Sequence, residues 1–234
     1  ISMSHGETLI NLDATSQPLG PLYAWPNTGT VEGDFNILAD APEVITVDGV
    51  KGVAFAAGAA TGDQGTSYYG PTAPDSICGS ASRTIEAWIW DPAGQDEKTV
   101  VSWGHRGGSP DGSNCSFGHG VNTTYGCLGG WAAADLGYTN MVFSRWTYIV
   151  FTYDSATTAE TSYRDGVFSK TQTFAAGLNT FNLDLNGYPI PFRVARQTDA
   201  AGTASTTGIG TNVIAKIRIS DTTFTEAQIK AQYD

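Results

Sequence analysis

The segment Thr84-Ile85-Glu86-Ala87-Trp88-Ile89-Trp90-Asp91 constrains the fold most. Successive side chains of a strand point to opposite faces. Ile85, Ala87 and Ile89 therefore share one face, and Glu86, Trp88 and Trp90 share the other. Both faces are apolar enough to need cover, so the segment reads as a central strand in a layered β structure. The chain offers it many short neighbours. Residues 8–14, 66–70, 99–104, 145–154, 192–196 and 212–220 carry strand patterns rich in β-branched and aromatic residues. Residues 44–58 read as two strands across an Asp48-Gly49 turn, and Asp165-Gly166 marks another hairpin turn. A closing helix is predicted after Thr225, where Gln228 completes a capping box. No long helix, no strand–helix alternation, no internal repeat and no dividing linker is visible. The pattern predicts an all-β antiparallel sandwich or jelly roll with a short C-terminal helix. It is expected to form one domain over residues 8–234, with residues 1–7 read as linker or cloning remnant.

A chain of 234 residues buries a substantial core. Its formal net charge is −11, spread along the chain, with a pI near 4.5. No basic stripe exists to displace counterions from phosphates, which argues against nucleic acid and against anionic membranes. No run of eighteen or more apolar residues occurs, so no membrane insertion is expected. The opening ISMSHGE lacks both an initiator Met and a signal peptide, as expected of a processed protein or an excised module.

The stretch from Trp103 to Trp146 concentrates unusual chemistry. Trp103, Phe117, Tyr125, Trp131 and Tyr138 stand among nine glycines between Gly104 and Gly130, together with His105 and His119. Glycines allow tight turns and close backbone approach. The rings are then either held platforms or core. Trp131 follows Gly129-Gly130 and precedes three alanines, which leave its face open; Trp146 opens an apolar strand and is expected in the core. Cys115 and Cys127 flank a segment that reads as a hairpin. Folding it about residue 121 sets the two opposite each other, so a cross-strand disulfide competes with two free buried thiols. Cys78 is left over, a buried small hydrophobe.

Thr84 to Ile89, Arg145 to Asp154, Tyr163 to Gly166, Ala215 to Ser220 and Phe224 to Ile229 together resemble the laminin-G-like, concanavalin A-like jelly-roll family. The resemblance covers roughly residues 8 to 234. A branch found in bacterial extracellular multidomain proteins is more similar still, through Asn27-Thr28-Gly29, Gly33-Asp34-Phe35, Trp103 to Gly108 and Asp111 to Asn114. That branch carries Gly-His-Trp-Gly where this chain has Gly129-Gly130-Trp131-Ala132; the His is absent, and His119 is the nearest substitute. The resemblance implies a secreted bacterial module. Such folds host sugar binders, adhesion modules and enzymes alike. They also imply one structural Ca²⁺, for which Asp48, Asp63 and Asp221 in turns are the candidate ligands.

Catalysis finds little support. Jelly-roll glycosidases place two carboxylates on one strand face, whereas Glu86 and Asp91 lie at odd separation, on opposite faces. His105 or His119 with Tyr125 and Arg106 imitates a lyase set, but lyase strand motifs are missing. No nucleophile elbow occurs. A zinc set of His105, Cys115, His119 and Cys127 would compete with the disulfide. Sugar binding fits better. A pyranose presents an apolar C–H face rimmed by hydroxyls, so its site pairs aromatic plates with forked polar groups. Trp103, Tyr125 and Trp131 offer plates; His105, Arg106, Asn114 and His119 offer donors and acceptors. The expected function is non-catalytic binding of a neutral, uronic or sulfated polysaccharide. The chain is expected to act as a monomeric module of a larger secreted polysaccharide-processing protein. An adhesion or protein-interaction module is the alternative, followed by a lyase or hydrolase.

Overall fold

The computed structural model describes residues 6–56, 65–107 and 110–234. Residues 1–5 of the leading segment and Asp63 lie outside the described residues. The strands, in chain order, are β1 (Thr8–Asp13), β2 (Gly20–Pro21), β3 (Ala24–Trp25), β4 (Phe35–Ile37), β5 (Glu43–Val47), β6 (Val50–Ala54), β7 (Tyr68–Thr72) and β8 (Arg83–Trp90). They continue as β9 (Thr99–Gly104), β10 (Asn114–Gly118), β11 (Leu128–Gly129), β12 (Trp146–Asp154), β13 (Ala159–Arg164), β14 (Val167–Thr173), β15 (Pro191–Val194) and β16 (Val213–Ser220), and the chain closes with α1 (Glu226–Tyr233).

Two antiparallel sheets form a β-sandwich. The first runs β14-β13-β12-β8-β16-β6-β5-β2, with β1 also paired to β16; the second runs β11-β10-β9-β15-β7-β4-β3. The central strand predicted at 84–91 is β8, flanked by β12 and β16. Its Ile85, Ala87 and Ile89 meet Ile149 and Phe151 of β12 and Ile217 and Ile219 of β16 in the core, opposite Val101, Trp103, Cys115, Phe117 and Phe192 of the second sheet. Each such large apolar side chain contributes about 1.5–3 kcal/mol when fully buried. Arg83 is enclosed with them, donating to the Ile77 carbonyl at 2.8 Å and Thr180 Oγ1 at 2.7 Å. Its guanidinium lies over Trp103 and Tyr153, 5.6 and 5.4 Å from the ring centres.

The outward face of β8 is partly covered by α1. Phe224 and Ile229 pack with Tyr148 and Val150, and Trp88 lies against them. The capping box forms as predicted: Gln228 N–H donates to Thr225 Oγ1 at 3.3 Å, and Thr225 N–H to Gln228 Oε1 at 2.8 Å.

Two local expectations are corrected. In the β10–β11 hairpin Ser116 stands opposite Gly129 and Phe117 opposite Leu128, three residues away from the register that would face Cys115 with Cys127. Both are buried free thiols, not a bridge, because the loop between them folds about residues 122–123. Trp146 is only half-buried. It shares the outer face with Tyr148, since Trp146 pairs with Trp90 and Tyr148 with Trp88. Cys78 is half-buried against the core, and burial pushes its thiol up to about 12.

Candidate functional site

β10 sends Cys115 and Phe117 into the core, so Asn114 and Ser116 point away from it. There Asn114 begins a chain of polar contacts. Its Nδ2 donates to the Gly129 carbonyl at 2.8 Å and to Gln197 Oε1 at 3.2 Å. Gln197 Nε2 donates to Glu97 Oε1, and Arg106 Nη1 donates to Glu97 Oε2 at 3.3 Å and to Thr207 Oγ1 at 2.7 Å. Asn114, Gln197, Glu97 and Arg106 line a cavity of about 350 Å³, completed by Tyr125, Gly129, Trp131, Ala132 and Asp135. That is within the usual size of a small-ligand site. A Cβ on Gly129 would stand 3.4 Å from Glu97 Oε1 and 3.9 Å from Asn114 Nδ2, so glycine keeps this space open.

Trp131 is held in an unusual backbone. Its φ is 80° and that of Ala132 is 54°, two successive left-handed residues of which one is bulky. Such a conformation costs roughly 1–3 kcal/mol and persists only where its surroundings impose it. Here Asp135 Oδ1 accepts the Trp131 N–H at 3.0 Å, and Asp111 Oδ2 accepts the Ala133 N–H at 3.3 Å. Ala132 and Ala133 are exposed and too small to cover the half-buried indole. Burial pushes the Asp135 carboxyl up to about 6, with Glu97 adding to the rise, while the N–H groups of Trp131 and Gly130 and the Arg106 guanidinium hold it down.

The segment bearing Glu97 is anchored from below. Lys98 and Asp91, each 2% exposed, form a buried ion pair, and Lys98 also donates to the Ala93 carbonyl. Asp91 Oδ2 accepts from His119 Nδ1 at 2.8 Å, and His119 lies against the rings of Tyr138 and Phe143.

Of the seven residues expected to touch ligand, the cavity brings together Arg106, Asn114, Tyr125 and Trp131. The other three are fully buried elsewhere. Trp103 faces inward with Val101 and packs edge-on against Phe192 at 5.3 Å. His105 donates from Nδ1 to the Gly107 carbonyl at 3.1 Å, beside Phe181. His119 orients Asp91. These three serve the scaffold, because strand parity and the Asp91–Lys98 pair direct them inward. Glu97, Asp135 and Gln197 are the lining residues that sequence reasoning missed. Asp48 sits in the β5–β6 turn with φ 48°, and Asp221 Oδ1 accepts the Glu7 N–H at 2.8 Å in a different turn. Among the described residues no group of three or more His, Cys, Asp or Glu side chains is placed to hold a metal ion. No helix among them is long and apolar enough to cross a membrane.

No family model matches the chain, and no curated protein matches it. Solved structures do. Domain 4 of AbnA, a GH43 extracellular arabinanase from Geobacillus stearothermophilus in complex with arabinotriose, superposes with a TM-score of 0.66 at 14% identity, over 99% of this chain and 100% of that one. The binding domain of Paraclostridial Mosquitocidal Protein 1 gives 0.59 at 10% identity, over 97% of this chain and 52% of that one. A Trypanosoma rangeli sialidase gives 0.57 at 12% identity, with 97% and 33% covered. The chain thus spans the whole arabinanase domain, about half of the toxin domain and a third of the sialidase. At these identities the likeness establishes the fold: a two-sheet antiparallel β-sandwich.

Proposed function

We propose that this chain is a non-catalytic carbohydrate-binding module of the laminin-G-like jelly-roll type. In this reading it belongs to a larger secreted polysaccharide-processing protein and binds a neutral polysaccharide in the Trp131 cavity. The observation that carries the reading is the pairing of a strained, half-open indole with the polar chain Asn114–Gln197–Glu97–Arg106 around one hollow. The indole supplies a plate for a sugar's C–H face, and the polar groups supply forked partners for its hydroxyls. Glu97 and Asp135 oppose the guanidinium of Arg106 in the lining, so a uronate or sulfate would meet repulsion there. This favours a neutral glycan over the acidic ones that the sequence also suited. The likeness to an arabinanase domain bound to arabinotriose supports a pentose polymer as the first probe.

Affinity gel electrophoresis against arabinan, xylan, β-glucan, polygalacturonan and a sulfated galactan tests the reading. Retardation is expected in at least one neutral gel and in neither acidic gel. Retardation only by the acidic polymers, or release of reducing ends or 235-nm absorbance from any of them, would overturn it.

A further inference from the structure

The opposite sheet carries a second aromatic cleft. On the outer face of the first sheet, Trp88 and Trp146 line a hollow of about 430 Å³ together with Asp13, Thr15 and Lys216. The backbone is adapted to it. β16 breaks register between Ile214 and Lys216, so Ala215 bulges beside Trp88 and lines the cleft. Bulges re-aim side chains beside sites. On β6, a Cβ at Gly52 would come within 3.0 Å of Trp146 Cη2 and 2.7 Å of Val213 Cγ1, so only glycine lets the indole lie over that strand. Trp146 Nε1 donates to the Val47 carbonyl at 2.8 Å, which fixes the ring by its edge. Trp88 is braced by Tyr148 and Tyr233, with ring centres 5.2 and 5.7 Å away. Both indoles remain half-buried.

The charges here are balanced. Lys216 pairs with Asp13 at 3.3 Å, and in the adjoining hollow Arg218 pairs with Glu86 at 2.8 Å. A surface of fixed aromatic plates beside matched acid–base pairs complements a ligand with an apolar face, hydroxyls and no charge.

We propose that the Trp88–Trp146 cleft is a second carbohydrate subsite, which takes sugar residues of a neutral polysaccharide independently of the Trp131 cavity. The inference rests on the reading of the chain as a glycan binder and adds a second point of attachment on the opposite sheet. Two sites on opposite faces would let one module bridge two polymer chains, with the gain in avidity that bivalency gives.

The test follows the six tryptophan indole N–H signals of the ¹⁵N-labelled full chain, assigned with single Trp→Phe variants, during titration with arabinohexaose, xylohexaose and cellohexaose. Trp88 and Trp146 signals are expected to move with their own saturation curve. That curve should persist in Trp131→Ala and weaken about tenfold or more in Trp146→Ala. Lys216→Met, which keeps the aliphatic stem, should weaken it too and covers the case in which Trp146→Ala loosens the β5–β6 hairpin. Shifts at Trp131 with none at Trp88 or Trp146 would overturn the second subsite and leave the first standing. Shifts at Trp88 and Trp146 alone would support the second and remove the first. Silence at all three rings, or a concentration-dependent dimer in sedimentation that broadens Trp88 and Trp146 without sugar, would overturn it.

Discussion

Glu160 gives a stability prediction whose sign is unusual for a carboxylate. It lies on β13 with no solvent exposure. Its Oε2 accepts from Gln172 Nε2 at 2.6 Å, while Oε1 has no partner among the described residues. Burial pushes its carboxyl from 4.5 to about 7, against the Gln172 hydrogen bond and the charge of Arg83. Between those two pH values the folded chain keeps a proton that the unfolded chain has released. Stability from this group is therefore complete below pH 4.5 and is lost as pH rises to about 7. At 1.36 kcal/mol per pH unit, the loss across that window is about 3 kcal/mol. Glu160→Gln fixes the side chain in a neutral form. The variant should match the wild type below pH 4.5 and exceed it by up to about 3 kcal/mol at pH 8, or about 6–12 °C in Tm for a domain of this size. Asp135, pushed to about 6, adds a slope of the same sign to both proteins, and because its charge helps to raise Glu160, the difference between them also carries that coupling. Thermal melts of both proteins from pH 4.5 to 8.5 supply the assay. A gap that is equally large at pH 4.5 and pH 8, or a wild type that is the more stable at pH 8, would refute the reasoning.

Gly129→Ala should weaken glycan binding severalfold with little change in Tm, because the added methyl enters the cavity 3.4 Å from Glu97 Oε1; binding curves and melts on the same sample check it. Alkylation of the denatured, non-reduced chain should label three thiols, and at pH 8 Cys78 and Cys115, pushed up to about 12, should stay unlabelled until the chain unfolds. A count of one label after unfolding would contradict the free thiols. Asp91→Ala strands Lys98 as an uncompensated buried charge and should destabilise by about 3–5 kcal/mol, read by denaturant unfolding.

The sheet framework was legible because its signals are local. Residues 99–104 form β9, the Asp48-Gly49 and Asp165-Gly166 turns close hairpins, and Thr225 with Gln228 caps the helix. The β10–β11 register was not legible, because among glycines the loop sets the pairing and no alternation pins it. Parity could have placed Trp103 inside with Val101, and Trp146 outside with Tyr148, Trp88 and Glu86. The cavity was only half legible. Arg106, Asn114, Tyr125 and Trp131 are close in sequence, whereas Gln197 arrives through the β9–β15 pairing. Glu97 sits in a charged run that reads as a solvated loop, and nothing local marks Asp135 as the carboxylate that sets the Trp131 backbone.

Trp131→Ala tests the central claim most directly. Titration calorimetry with arabinohexaose, xylohexaose and cellohexaose, run on wild type and variant, measures what the indole contributes at its cavity. Removing one stacking plate should weaken binding there by about 1–3 kcal/mol, by analogy with base–aromatic stacking. The half-buried ring on a left-handed backbone contributes little to the core, so Tm should hardly move. Unchanged affinity at an intact Tm would contradict the account, because the cavity around Trp131 would then not be where the sugar sits.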